Sequence, residues 1–225
     1  MASHFRVFAP RAANVDLIRE GARSPLVARG DGYFDLEQGD LEVDVDYSLS
    51  LDRGPELPDP RADHQPLGIT GPSRRVDHTA FSWSDQDFRP TPLAEGIIYE
   101  LHVGTFSAAG TFEGVLGHLD HLLELGVTHV ELMPVCEFAG ERGWGYDGVN
   151  LFAPHHAYGG PLGLKRLIDG CHARGLAVLI DVVYNHLGPR GNHLGQFGPY
   201  FTDHHTPWGA AVNLRHAGSD AVRRF

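Results

Sequence analysis

The chain has 225 residues, 42% of them hydrophobic and 21% charged, which fits one large globular domain or two smaller ones. A formal net charge of −11, with 15 histidines counted as neutral, repels phosphate backbones. Nucleic acid and anionic membranes are therefore not expected as partners, whereas neutral ligands such as sugars stay open.

Met1–Pro10 has no apolar leader core behind a basic start, and no stretch approaches the ~20 apolar residues that cross a bilayer. The two cysteines, Cys136 and Cys171, lack CxxC spacing. Reduced thiols and a cytoplasmic location are the expectation, with Cys171 in a core.

From Phe5 to about Leu51 the chain reads as strands. In Leu41–Leu51, Leu41, Val43, Val45, Tyr47, Leu49 and Leu51 alternate with Glu42, Asp44, Asp46, Ser48 and Ser50. That period of two buries one face of an antiparallel sheet and wets the other. Phe5–Ala9, Val15–Ile18 and Tyr33–Leu36 are shorter candidates, broken by glycine and proline. A small β-sandwich over residues 1–90 fits. Arg53–Pro72, with prolines at 55, 58, 60, 66 and 72, predicts an extended crossing segment, because proline gives a sheet no N–H. Phe81–Trp83 is read as one further strand.

At Ile97 the pattern changes. Ile97–Val103 predicts a strand. Thr111 caps a helix whose Phe112, Val115, Leu116, Leu119, Leu122 and Leu123 share one face, and Gly126 stops it. His129–Met133 is the next strand. Leu164, Leu167, Ile168 and Cys171 mark a second helix stopped by Gly175, and Leu176–Val183 is a third strand apolar enough to be covered on both faces. This alternation predicts parallel pairing with right-handed crossovers over residues 91–225. A closed (β/α)8 barrel needs eight such strands and ~250 residues. Only about three β/α units fall here, so an incomplete barrel is expected. Gly104-Thr105-Phe106 is not the glycine-rich phosphate loop of a dinucleotide fold.

Parallel α/β folds bind ligands at the carboxyl ends of their strands. His102 follows the first strand. Arg142, Trp144, Tyr146, Asp147 and Asn150 lie in a glycine-rich loop after the second. Asp181, Tyr184, Asn185 and His186 end the third. Asp181 interrupts an apolar run. A buried carboxylate needs a hydrogen-bonding partner, so it is either structural or, with Asn185 and His186 beside it, part of a site. Trp144-Gly145-Tyr146-Asp147-Gly148 is either a turn with an aromatic plug or a sugar site, in which rings stack on a pyranose and carboxylates bond its hydroxyls. The pairs His155-His156 and His204-His205 point opposite ways on extended chain, and His118 and His121 lack an HExxH pattern. No metal and no cofactor is expected. Glu137 and Glu141 are read as solvated surface.

Asp181-Val182-Val183-Tyr184-Asn185-His186 resembles the D-x-x-x-N-H region that ends barrel strand three in the α-amylase superfamily. Gly145-Tyr146-Asp147 resembles that superfamily's loop after strand two. Tyr99-Glu100-Leu101-His102-Val103-Gly104-Thr105-Phe106, Glu131-Leu132-Met133-Pro134-Val135, Ala153-Pro154-His155-His156-Ala157-Tyr158-Gly159-Gly160 and Phe197-Gly198-Pro199-Tyr200-Phe201 narrow the resemblance to the maltooligosyltrehalose trehalohydrolase type. In the front part, Leu57-Pro58-Asp59-Pro60, Gln65-Pro66 and Gly71-Pro72-Ser73 fit as well.

The resemblance implies an Ig-like, early-set front sandwich before an α-amylase-type barrel. It implies a retaining hydrolase that acts on maltooligosyl-trehalose or a related α-glucan and releases trehalose. A branching or debranching enzyme, or a non-catalytic glucan binder, is the alternative. By resemblance Tyr146 stacks on the −1 sugar, His186 bonds its hydroxyls and Asp181 supports the site, with Asp147, Trp144, Asn185 and His102 as further substrate-binding residues. In many amylases an Asn at the position of Asn185 helps hold calcium; no second ligand can be placed here. The family's nucleophile and acid stand after strands four and five and have no counterpart in these residues, so the chain alone is expected to be inactive.

Overall fold

The computed structural model describes residues 5–225. Residues 1–4, where the expected front domain begins, lie outside the described residues. The front part is all β apart from one short turn of 3-10 helix at His78–Ala80. Strands β1 (Arg6–Phe8), β5 (Tyr33–Asp35) and β4 (Val27–Gly30) form one antiparallel sheet in the order β1-β5-β4. A second antiparallel sheet runs β3 (Ala22–Pro25), β2 (Val15–Arg19), β6 (Asp46–Leu51), β7 (Glu56–Leu57), and β8 (Ser73–Arg74) also pairs with β6. Both sheets feed one core: Val7 and Phe34 from the first meet Val15, Leu17 and Leu49 from the second. Leu187, Leu194, Phe197, Tyr200 and Val222, far along the chain, close the same core, so the front sheets do not stand apart from the later segment.

The long alternating strand expected over Leu41–Leu51 is only its second half. Asp44 takes a φ of 59°, a left-handed conformation no strand tolerates, and the ladder starts at Asp46. The serines expected to be wet are also buried. Ser50 is fully covered, where its hydroxyl accepts from Arg23 at 2.9 Å and donates to the Gly54 carbonyl at 2.9 Å. A central strand with both faces covered loses the alternation of an edge. Phe81–Trp83 is not a strand; it follows the 3-10 turn His78–Ala80. The next stretch is strapped to a later helix, with Ser84 bonded to Asp169 and the Phe88 ring stacked on His172 at 4.1 Å.

The proline-rich segment is extended and more deeply embedded than a surface crossing. Tyr47 donates its hydroxyl to Asp59 at 2.7 Å, and the Asp59 amide donates to the Ser73 hydroxyl at 2.8 Å, all three residues being buried. Burial raises the Asp59 carboxyl above the ordinary range and pushes the Tyr47 phenol well up.

Strands β9 (Ile98–Leu101), β10 (His129–Leu132) and β13 (Ala177–Ile180) form a parallel sheet in the order β13-β10-β9. Between β9 and β10 lie α1 (Val103–Phe106), α2 (Phe112–Leu116) and α3 (Leu119–Glu124). The single helix expected from Thr111 is broken at Gly117 and His118. The cap holds: Thr111 Oγ1 accepts from the Gly114 amide at 3.1 Å. The apolar rhythm passes through the break, since Phe112, Val115, Leu119 and Leu122 are all fully buried. Leu123 is exposed.

Helix α4 (Gly160–His172) packs against α2. A Cβ at Gly170 would overlap the Leu116 Cδ1 methyl, so any larger residue there makes the Leu116 side chain move. Cys171 is fully buried in the second core, as expected, and burial lifts its thiol to about 12. Cys136 and Cys171 are both free thiols.

Two hairpins were not foreseen: β11 (Cys136–Phe138) with β12 (Gly148–Pro154), and β14 (Phe201–Thr206) with β15 (Gly209–Val212). Short helices α5 (Leu194–Phe197) and α6 (Ser219–Arg224) flank the second.

The expectation that the third parallel strand is covered on both faces fails. Ile180 is 41% exposed, and beyond the strand Val182 is 50% and Tyr184 72% exposed. They border an open apolar groove of about 830 Å³ that Leu151, Phe152, Leu187 and Phe201 also line. No helix is long and apolar enough to cross a membrane among the described residues.

Candidate active site

The parallel register puts Leu101, Leu132 and Ile180 level with one another, so the residues that follow them share one edge of the sheet. Backbone bonds carry the level outward: Met133 N donates to Leu101 O at 3.0 Å, and Asp181 N to Leu132 O at 2.9 Å. His102, the loop after β10 and Asp181 therefore begin at the same carboxyl edge.

That loop is the β11–β12 hairpin, whose tip holds residues 139–147. Its path depends on Gly145, which has a φ of 89° and lies so close to the Pro134 carbonyl that a Cβ would overlap it. The tight turn throws Trp144 outward, 74% exposed, and turns Tyr146 back toward β13. The Tyr146 hydroxyl donates to Asp181 Oδ2 at 2.8 Å. This bond, and secondarily desolvation and the charge of Asp181, pushes the Tyr146 phenol up to about 12. At neutral pH the phenol keeps its proton and supplies the partner that Asp181 needs. A second tie, Gly188 N to Gly148 O at 3.1 Å, fastens the segment after β13 to the base of the same loop.

The structure thus joins Tyr146 and Asp181 directly. Asp147 and Trp144 line a hollow of about 220 Å³ with Arg142, Pro189 and Arg190, while Asp181 lines the larger groove. His186 is buried, its Nδ1 without a partner among the described residues, and its ring lies 6.2 Å from Trp208. Asn185 and Asp147 are exposed. His102 is part-buried and bonded to the loop itself. Asn150 belongs elsewhere: it is buried in β12, where its amide donates to Gln65 at 3.2 Å once the Gln65 oxygen is turned toward it.

Glu137 overturns the expectation of solvated surface. It is fully buried, and its Oε1 accepts from His155 Nδ1 at 3.1 Å and His156 Nδ1 at 2.8 Å while Oε2 accepts from the His156 amide at 2.8 Å. The two imidazoles converge because His155 is the N-cap residue of the 3-10 turn His156–Tyr158 and His156 its first residue, so the pair does not run on as a strand. Among the described residues Glu137, His155 and His156 have spacing that would suit a metal, with ligand atoms within 4.8 Å of one another. The carboxylate already accepts from one nitrogen of each ring and from an amide, a structural knot between β11 and the turn after β12, while His155 Nε2 is buried without a partner among the described residues. That grouping includes neither Asn185 nor Asp181.

Residues 76–196 match the family model for the alpha amylase catalytic domain. The chain is 46% identical to a malto-oligosyltrehalose trehalohydrolase of Arthrobacter ramosus, over all of this chain and 40% of that protein. A 1,4-alpha-glucan branching enzyme of Pseudoalteromonas atlantica is 30% identical over all of this chain and 35% of its own length. A crystal structure from Salmonella typhimurium, described as an alpha amylase, superposes with a TM-score of 0.93 at 41% identity, covering 98% of this chain and 38% of that one. The chain spans about 40% of the length of the trehalohydrolases it matches. The match to that catalytic-domain model runs over more than half of the chain, and the chain therefore belongs to the alpha amylase family.

Proposed function

We propose that this segment builds one wall of the −1 sugar subsite of a retaining glycosidase that releases trehalose from maltooligosyl-trehalose by cutting the adjoining α-1,4 bond. The observation that carries the reading is the Tyr146–Asp181 hydrogen bond at the carboxyl edge of the parallel sheet. It holds an aromatic face and a carboxylate side by side, the pair a pyranose needs. The 46% identity to a trehalohydrolase supports the choice of substrate over other α-glucans.

In this reading Tyr146 stacks on the −1 ring, with its orientation fixed by the proton it donates to Asp181. Asp147 and Trp144 contact the sugar from the same loop, and His186 and Asn185 bond hydroxyls from the segment after β13. Asp147 and Asp181 are not the reacting pair. Retaining chemistry needs a nucleophile and an acid about 5–5.5 Å apart on opposite sides of the bond, one ionised and one protonated. In this reading both carboxylates belong to one wall, and the reacting pair comes from later barrel strands. In this reading residues 5–90 belong to an Ig-like, early-set sandwich and residues 91–225 are the first barrel units of a cytoplasmic enzyme.

The test is product chromatography. The protein carrying this segment with the remaining barrel strands, incubated with maltooligosyl-trehalose, releases trehalose, and Asp181→Ala lowers the rate at least a hundredfold. New α-1,6 branches, or maltose as the main product, would replace this reading with the branching or debranching one.

A further inference from the structure

We propose that His102 does not bind sugar but is a positioning residue, which locks the Trp144–Asp147 loop through the Gly143 carbonyl. The proposal rests on the glucan reading only for its consequence; the lock itself is a property of the free chain.

The argument starts from what each ring nitrogen touches. His102 Nε2 lies 2.8 Å from the Gly143 carbonyl oxygen. A carbonyl only accepts, so at this distance Nε2 carries the proton. In the neutral ring Nδ1 is then the acceptor, and the Thr105 hydroxyl stands 3.0 Å from it, ready to donate. Tyr158 completes the arrangement. Its hydroxyl is 3.0 Å from Nε2 and donates to the same Gly143 carbonyl at 3.4 Å. Tyr158 is almost fully buried, and burial lifts its phenol to about 12, so it remains a donor at any working pH. Both His102 nitrogens are therefore engaged by the protein, which leaves neither free for a sugar hydroxyl.

The place of the lock matters more than its strength. Gly143 immediately precedes Trp144, and its far side is pressed against the Phe138 ring, 2.9 Å from where a Cβ would stand. With the carbonyl held on one side and the ring on the other, the peptide plane before Trp144 has one orientation. Gly145 then turns the chain so that Tyr146 reaches Asp181. His102 itself follows β9, on the far side of β10 from Asp181. Thus all three parallel strands contribute to the wall: β13 through Asp181, β10 through the loop, and β9 through the residue that fixes the loop.

Hydrogen–deuterium exchange of residues 1–225 without ligand tests the lock. His102→Ala is expected to speed exchange of the 143–148 peptide about tenfold while the β10 peptide 129–132 stays unchanged. His102→Gln, whose amide nitrogen reaches the Nε2 position, restores protection; His102→Asn, which reaches only the Nδ1 position, does not. An unchanged loop in the alanine variant, or equal behaviour of Gln and Asn, overturns the proposal. Nitrogen-15 NMR of the unmodified protein gives a check that needs no variant: the Nε2–H tautomer is expected, and Nδ1–H contradicts it. Titration with maltooligosyl-trehalose separates the two readings. No binding to the unmodified chain sinks the glucan reading and leaves exchange to judge His102. Binding that is equally tight in His102→Ala overturns the positioning role, whereas a tenfold loss restored by Gln supports it.

Discussion

Tyr146 and Asp181 are 35 positions apart in sequence and 2.8 Å apart in the fold, and their hydrogen bond joins the loop after β10 to the end of β13. The bond sets the protonation of the phenol and the orientation of the carboxylate at once.

The first consequence is spectroscopic. Tyr146 titrates near pH 12, against about 10 for a free tyrosine. Because the folded value is raised, the stability linked to this group is complete below about pH 10 and is lost as pH rises toward 12. Absorbance at 295 nm, differenced against Tyr146→Phe, isolates this phenol from the other tyrosines. Asp181→Asn is expected to bring its midpoint down toward the free value; a midpoint unmoved by that change would deny the coupling.

Glu137 and Glu141 look alike in the sequence, and the structure separates them. Glu137→Ala leaves two imidazole N–H groups and a backbone amide without their acceptor in a buried site, a loss on the order of 3 kcal/mol. Glu141→Ala, at an exposed position, changes stability by no more than about 0.5 kcal/mol. Urea denaturation of the two variants measures the difference, and equal losses would contradict the buried knot.

The parallel strands were legible because β13 is an unbroken apolar run and β10, His129–Leu132, is a short segment set between helical patterns. Gly126 and Gly175 ended their helices as read, each with a left-handed φ. What was not legible depended on distant partners or on backbone geometry. Glu137 finds its histidines 18 and 19 positions later, on a turn that has no strong sequence signal. Asp44 reverses the chain in the middle of a perfect alternation. The break between α2 and α3 leaves the apolar period intact, so periodicity cannot reveal it. At the site, residue types and strand ends pointed to Tyr146 and Asp181. They could not distinguish His102, whose contacts are with a backbone carbonyl, from a ligand-facing histidine.

The exposed side of β13 carries its own expectation. Ile180, Val182 and Tyr184 present exposed apolar side chains along the groove, a surface through which two copies can associate in water. Purified residues 1–225 should form concentration-dependent oligomers in light scattering, and Val182→Glu should shift them toward monomer. A chain that stays monomeric at high concentration would show that this face is not adhesive.

The most direct test of the sugar-site account is calorimetric titration of residues 1–225 with maltooligosyl-trehalose. A half-built subsite should bind weakly, with a Kd near 1 mM, equivalent to roughly −4 kcal/mol. Tyr146→Ala and Asp181→Ala should each abolish that heat, while Glu141→Ala leaves it intact. Binding that survives both site substitutions would place the sugar elsewhere and contradict the account.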